Sequence, residues 1–237
     1  MNHKNKFLEY DHNRAIIYSA LEGQYNYDLI KCKEQCSILC TIFDFHFIQG
    51  QSSEHHLEIY QGIKEYIINK QKNEFILFAP TEKWEPTLTK VFHKLNGVID
   101  QRSIFELDKE KFLNQFNQHQ FRYHVELIDE QTNGSKISFK TAVIKKDDQV
   151  ISYCKGFMIG DKQVEIDVFT DENFRGNNMA FEVSLCLIKY LLDHQLTPNW
   201  SCWSKKESSK RLAQKLGFDF KKNVNAYIWV SDFGMPL

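Results

Sequence analysis

Apolar and polar positions recur with two different periods along this chain, and the sharpest change of period falls between Val164 and Gln195. Val164-Glu165-Ile166-Asp167-Val168-Phe169-Thr170 alternates apolar with charged through Val168 and is rich in β-branched residues, which predicts a strand. Asp171-Glu172-Asn173-Phe174 is polar turn material with one aromatic. From Arg175 the spacing becomes helical, and Met179, Val183, Cys186, Leu187, Tyr190 and Leu191 fall on one face. A strand feeding a helix through a tight turn leaves the first N–H groups of that helix unpaired. With the helix dipole they make a site for an anion, most simply a phosphate. Arg175-Gly176-Asn177-Asn178-Met179-Ala180 closes the turn. Arg175 adds positive charge there, and Gly176 and the two asparagines tolerate unusual φ or close backbone approach.

The stretches before this unit predict residues 14–22 as a short strand or helix, then strands at Asp28–Cys32 and Ser37–Ile48. Ser53 is placed to cap a helix from Glu54 to about Gln71, with Leu57, Tyr60, Ile63, Ile67 and Ile68 inward. A buried strand, Glu74–Ala79, stops at Pro80. A helix follows from Trp84 to Leu95, with Pro86 near its start and Asn96-Gly97 at its end. Arg102–Leu107 reads as a strand and Lys109–Asn117 as a short polar helix. A soft boundary near residue 116 divides residues 1–116, a smaller α/β subdomain, from residues 117–237. No Pro/Gly/Ser linker marks it, so the two parts are expected to pack together.

In the second part, strands are expected at Tyr123–Ile128, Ile137–Ile144 and Val150–Ile159, with a charged turn at Lys145–Asp148. After the long helix, Pro198 precedes a short strand, Asn199–Trp203. Ser204-Lys205-Lys206-Glu207 has the S-x-x-E capping-box pattern. The helix it starts carries Ser209, Leu212, Ala213 and Leu216 on one face and ends at Gly217. Phe218–Phe220 and Ala226–Val230 read as closing strands around a turn at Lys221–Asn225. The second part is thus β-β-β-β-α-β-α-β, and the fold class is α+β with a mixed sheet flanked by helices.

Composition narrows the function classes. At 237 residues and 42% hydrophobic content the chain can bury a sizeable core. A net charge of −1 and a pI near 6.8 advertise neither nucleic acid nor an anionic membrane. No run is long enough to span a bilayer, and the polar N-terminus lacks the apolar core of a signal peptide, so a cytoplasmic protein is expected. The Asn133-Gly134-Ser135 sequon then means only a turn. Cys32, Cys36 and Cys40 are spaced by four, which does not complete a zinc set. They read as small reduced thiols, and Cys154, Cys186 and Cys202 as core positions. His46, His55 and His56 read as exposed histidines, and no metal is expected.

Three places resemble the GNAT acetyltransferase superfamily, and more narrowly its bacterial branch with an extra N-terminal domain. Glu165–Thr170 is similar to that branch's E-I-G-x-x-T strand. Phe174-Arg175-Gly176-Asn177-Asn178-Met179-Ala180 is similar to the Y-R-G-x-G-x-A/G pyrophosphate loop. Pro198-Asn199-Trp200, with Ser209-x-x-Leu212-Ala213-x-Lys215-Leu216-Gly217-Phe218, is similar to P-x-W followed by S-x-x-L-A-x-K-L-G-F. The resemblance covers roughly residues 120–230 and implies a splayed mixed sheet with acetyl-CoA in the gap. Its pantetheine would pair with backbone near Val168, Phe169 and Thr170, and its pyrophosphate would sit on N–H groups of Arg175, Gly176, Asn177, Asn178, Met179 and Ala180. The implied chemistry is direct N-acetyl transfer to a small amine or a peptide amino group, with a base, an oxyanion donor and an acid for the thiolate. A homodimer through an exposed strand edge is also implied.

Glu165 and Asp167 share one strand face. One of them, Glu165 through a water, is the candidate base; otherwise both are solvated or paired sheet residues. Two departures from the pattern matter. Asn178 stands where the loop usually has its second glycine, so its side chain is expected to crowd the phosphate and weaken CoA binding. Ala213 stands where many members have a tyrosine acid, which leaves Ser209, Cys202, Tyr227 or water. Ser209 either touches the cofactor or is a small residue at a close helix contact. Trp84, Phe43, Phe45 and Phe47 line an acceptor cavity or belong to the core, and Trp200 and Trp203 read as core. The alternative function is a catalytically degenerate fold that binds an acyl-CoA or a partner.

Overall fold

The computed structural model describes residues 7–32, 36–51, 56–131 and 133–234. In chain order its elements are α1 (Arg14–Leu21), β1 (Tyr27–Cys32), β2 (Cys36–Thr41), β3 (Phe45–Gly50), α2 (His56–Lys70), β4 (Glu74–Phe78), α3 (Glu85–Lys94), β5 (Val98–Leu107) and α4 (Lys109–Gln118). The second half continues with β6 (Glu126–Glu130), β7 (Phe139–Lys146), β8 (Gln149–Gly160), β9 (Gln163–Thr170), α5 (Met179–Asp193), β10 (Thr197–Trp203), α6 (Glu207–Lys215) and β11 (Phe218–Val230). The strands form one mixed sheet in the order β1-β2-β3-β4-β11-β5-β10-β9-β8-β7-β6. It is an α+β fold with helices flanking the sheet. β5 precedes residue 116 in sequence, yet it lies between β10 and β11, which follow it. A cut at 116 would fall inside α4 and part β5 from both sheet neighbours.

Four apolar clusters hold the layers. α2 and α3 bury Tyr60, Ile63, Ile67, Leu88 and Val91 on the face that also buries Trp229 of β11. α1 lies in the concavity of the sheet, where Ile16 and Ile17 share a cluster with Leu39, Phe47, Phe78 and, from the far half, Met158. The approach of α1 to β8 depends on Gly160, where an added Cβ would lie 2.3 Å from the Ser19 nitrogen. Val183, Leu187 and Leu191 of α5 pack on Ile144, Cys154 and Val164, and Ala213 of α6 and Leu216 at its C-cap pack with Phe112 and Phe218. Each fully buried aliphatic side chain contributes roughly 1.5–3 kcal/mol, so α5 is anchored along its whole length.

Several local expectations change. The predicted strand Ser37–Ile48 is two strands, because the Thr41 hydroxyl turns the chain by donating to the carbonyls of Phe43 and Phe45, at 2.8 Å each. Residues 218–230 form one strand with a bulge between Phe220 and Lys222. Its polar middle stays in the ladder because Asn223 accepts from Ser103 (2.8 Å) and Asn225 from Gln101 (3.2 Å). α6 starts at Glu207 with Lys206 as an N-cap that makes no side-chain bond, and Glu207 instead pairs with Lys210, so the capping box does not form. Leu57 and Ile68 of α2 are exposed, while Tyr60, Ile63 and Ile67 face inward as expected. Ser53, Glu54 and His55 lie outside the described residues.

His46 is fully buried against the Phe75 ring (4.2 Å between centroids), and burial pushes its pKa down to about 3, so it is a neutral core residue rather than an exposed one. The six cysteines are free thiols, and Cys186 is the one not fully buried. Among the described residues there is no cluster of His, Cys, Asp and Glu that would hold a metal. No described helix is long and apolar enough to cross a membrane.

Candidate active site

The site begins with a parting of two strands. β10 runs parallel to β9 through Thr197, Pro198 and Asn199, opposite Gln163, Val164 and Glu165. From Trp200 to Trp203 it pairs instead with β5. β9 beyond Glu165 therefore has a bare edge on that side, suited to an extended ligand arm that pairs like a strand. A cavity opens on each side of the gap, and the two share Val168, Trp200, Lys206 and Ser209 in their walls.

The first cavity is a cleft of about 690 Å³ at the start of α5. Asn178 is the N-cap, in left-handed conformation (φ 66°), and Gly176 is left-handed as well (φ 82°). The N–H groups of Gly176 through Phe181 have no hydrogen-bond partner among the described residues, and the first helical bond runs from Glu182 to the Asn178 carbonyl. Arg175, Lys206, Arg211 and Lys215 line the cleft, with no carboxylate among its lining residues. Free N–H groups, the positive end of a helix and four cations make a strong anion cradle. The Asn178 side chain does not hang free over it, because Lys215 Nζ donates to Asn178 Oδ1 at 2.6 Å. That bond also brings the Lys215 charge over the Phe181 ring at the helix start (4.2 Å). Arg175 Nε donates to the Thr170 carbonyl (3.2 Å), which ties the loop to the end of β9.

The second cavity is a chamber of about 490 Å³ on the concave side of the sheet. Phe43, Phe45, Phe157 and Trp203 form apolar walls, and Glu165 and Asp167 both face it. A bulge between Gly156 and Met158 of β8 puts Phe157 there, and its ring meets Phe43 edge-on at 5.9 Å. Phe45 and Phe43 thus line the chamber, whereas Trp84 and Phe47 are core residues.

Glu165 is only 5% exposed. Its Oε1 accepts from Ser201 Oγ (2.9 Å), and Ser201 Oγ accepts in turn from Arg102 Nη2 (2.7 Å). The Arg102 guanidinium is sandwiched between the Phe45 and Trp203 rings, at 4.9 and 5.1 Å. Burial pushes the Glu165 carboxyl up to about 7, against the opposing pull of Arg102 and the Ser201 bond. A carboxylate in that range is matched to proton abstraction near neutral pH. Asp167 is more exposed and accepts from Tyr153 Oη (3.0 Å), and burial together with Asp167 raises that phenol to about 12.

Ser209 stands at the junction of the two cavities and accepts from Trp200 Nε1 (3.2 Å). Cys202 also lines the chamber. Tyr227 is buried beside Phe92 on the α3 side and reaches neither cavity, so it is removed from the candidate acids. Ala213 is fully buried in the α6 core. Trp200, expected as core, is a buried wall of both cavities.

Arg102 and Ser201 escape the sequence reading. Arg102 stands in a predicted strand with apolar residues close by, which signals a special cation, but its partner lies 99 positions away. A second omission is Glu182, fully buried on α5. Its carboxylate accepts from the backbone N–H groups of Arg122 and Tyr123 (3.1–3.2 Å) and lies 3.1 Å from His119 Nε2. It ties the entry into the second half to the helix that carries the cleft.

Comparison with known proteins agrees with this geometry. The GNAT acetyltransferase family model matches residues 139–227. An uncharacterised N-acetyltransferase of Bacillus subtilis, YdfB, is 24% identical over 178 residues, covering 67% of this chain and 66% of that protein, so the match spans just under two thirds of the relative's length. A GCN5-related N-acetyltransferase-like protein from Streptococcus suis has the same fold, with a TM-score of 0.67 at 23% identity over 94% of this chain and 96% of that one. A GCN5-related N-acetyltransferase from Kribbella flavida superposes at 0.61 with 12% identity, over 91% and 94% of the two chains. These likenesses support a place in the GNAT superfamily, carried by the family match over residues 139–227 and by the shared fold.

Proposed function

We propose that the protein is an acetyl-CoA-dependent N-acetyltransferase acting by direct transfer on a small amine or a peptide amino group. The observation that carries this reading is the gap between β9 and β10, with an anion cradle on one side and a buried carboxylate on the other. The cradle fits a pyrophosphate: its donors are backbone N–H groups of residues 176–181, and Arg175 and Lys215 supply charge. The bare edge at Val168, Phe169 and Thr170 fits a pantetheine arm. Acetyl-CoA supplies the thioester, and the chain supplies orientation and proton handling.

In this reading Glu165 takes the proton of the acceptor ammonium from the chamber side, directly or through a water. Ser201 and Arg102 orient the carboxylate and keep part of its population ionised. Asp167 adds negative charge beside the ammonium. Ser209, at the junction, is the hydroxyl we assign to the departing thiolate. Residues 1–116 supply part of the acceptor-side wall, through Ile16, Phe43, Phe45 and Arg102, and residues 117–237 supply the rest of it and the cleft. Six unpaired thiols favour a reducing, cytoplasmic setting.

Calorimetric titration with acetyl-CoA, followed by free-thiol release across an amine panel, tests the reading. Saturable binding with amine-dependent thiol release is expected. Absence of binding at millimolar acetyl-CoA would overturn it, and binding without release by any amine would leave an acyl-CoA-binding protein.

A further inference from the structure

Acetyl transfer to an amine has a proton to dispose of, and this inference rests on that reading. The acceptor enters as an ammonium, R–NH₃⁺. Its nitrogen forms the C–N bond, the C–S bond breaks, the thiolate takes one proton, and the amide keeps one. One proton per turnover is left over. It must leave through Glu165, which is 5% exposed and whose chamber is filled by acceptor at that moment.

Glu165 also borders a third cavity, which shares Glu165, Trp200 and Ser201 with the chamber. This space of about 130 Å³ has a mixed lining, with His12, Asn13, Gln163, Asn199 and Ser201 on its polar side and Ile104, Phe105 and Leu107 among its apolar residues. At about 30 Å³ per molecule it has room for roughly four waters. His12 and Asn13, each 4% exposed, precede α1. The Nε2 of His12 and both amide atoms of Asn13 are buried with no hydrogen-bond partner among the described residues. Asn13 is left-handed (φ 53°) at the N-cap of α1, yet its side chain makes no cap bond. Buried polar atoms of this kind are costly unless water bridges them. The other ring nitrogen is committed, since His12 Nδ1 lies 3.0 Å from Asp11 Oδ1. A proton on Nδ1, donated to that carboxylate, leaves the Nε2 lone pair for the cavity. Asp11 reaches the surface and also accepts from Lys222 (2.7 Å).

We propose that this cavity is the proton exit of the site: Glu165 hands the ammonium's proton through cavity water to His12 Nε2, and the imidazolium loses its Nδ1 proton to solvent along Asp11. Return of the ring to its starting tautomer moves no net proton. The charged and titratable groups facing His12 are Asp11, Lys221 and Lys222, with Tyr10 against its ring and Glu106 and Glu165 across the cavity. Burial holds the His12 pKa below its ordinary value, opposed by the bond to Asp11, so an imidazolium formed there sheds its proton readily. His12 touches no acceptor atom in this scheme and serves as a relay.

Two measurements on the full chain test it. In the first, His12→Ala and His12→Gln are assayed for thiol release at saturating substrates. The expected result is a fall in kcat of about tenfold with acetyl-CoA affinity unchanged, and recovery of His12→Ala by added imidazole. Unchanged kcat in both variants, or a loss that imidazole does not repair, would overturn the relay. In the second, the His12 ring is titrated by NMR in wild type and Glu165→Gln, which needs no turnover. A shifted His12 midpoint is expected, and an identical midpoint would overturn the connection. A shifted midpoint in a protein that acetylates no amine would keep the connection and remove the acetyltransferase reading.

Discussion

The cleft and the chamber meet at the same gap but are built on opposite plans. The cleft is made largely by consecutive residues, Val168 to Phe181, and its donors are backbone N–H groups freed by the start of α5. The chamber is assembled from side chains of β3, β4, β5, β8, β9 and β10, the turn between β2 and β3, and the starts of α1 and α6. Backbone donors survive most substitutions, so a phosphate cradle tolerates an asparagine where a glycine is usual. A chamber built from side chains loses its chemistry with a single change. On the proposed reading, cofactor recognition is therefore local in sequence, while acceptor recognition is non-local.

The largest expected effect separates the two directly. Glu165→Gln should lower kcat by about 10²–10³ while leaving acetyl-CoA affinity within about twofold. A parallel loss of affinity would mean the two cavities do not divide the work. Next, Arg175→Ala combined with Lys215→Ala should weaken acetyl-CoA binding by about tenfold to a hundredfold in calorimetry, with the loss shrinking at high salt, and leave kcat at saturation nearly unchanged.

Arg102→Leu acts on the chamber alone. It removes the cation that lowers the Glu165 pKa, so the acid limb of the kcat–pH profile should move to higher pH, with about a tenfold loss at pH 7. A stability effect of opposite sign accompanies the first variant. A carboxyl raised from 4.5 to about 7 stabilises the fold fully below pH 4.5, and that contribution is lost as pH rises through about 7. Glu165→Gln should therefore be more stable than wild type at pH 8, by about 1–3 kcal/mol in urea melts, with the difference fading toward pH 4.5. The smallest effect belongs to Asn178→Gly. The backbone is already left-handed and the side chain is already turned to Lys215, so acetyl-CoA affinity should change less than about threefold. A large gain would restore the view that Asn178 crowds the phosphate.

The same contrast explains what could be read from the chain alone. Strand, loop and helix over residues 163–193 follow from local alternation, turn residues and helical spacing, and Gly217 ends α6 as its position implied. The two carboxylates on one face of β9 follow from period two. Long-range pairing is another matter. Nothing local places β5 between β10 and β11, and so nothing local brings Arg102 to Ser201 or Ser201 to Glu165, 36 positions apart. The same holds for His12, brought to one cavity with Glu165 by the docking of α1. The errors over residues 37–48 and 218–230 have a different cause. A single Thr41 hydroxyl makes a turn within an apolar run, and cross-strand amide bonds keep a polar run in the sheet.

The central claim is that Glu165 is the base lying between a CoA cleft and an amine chamber. Its most direct test is the pH dependence of kcat for thiol release, at saturating acetyl-CoA and amine, in wild type and Glu165→Gln. The expected wild-type profile rises with a midpoint of about 7, and that limb disappears in the variant. A profile with the same limb and the same rates in both proteins would contradict it.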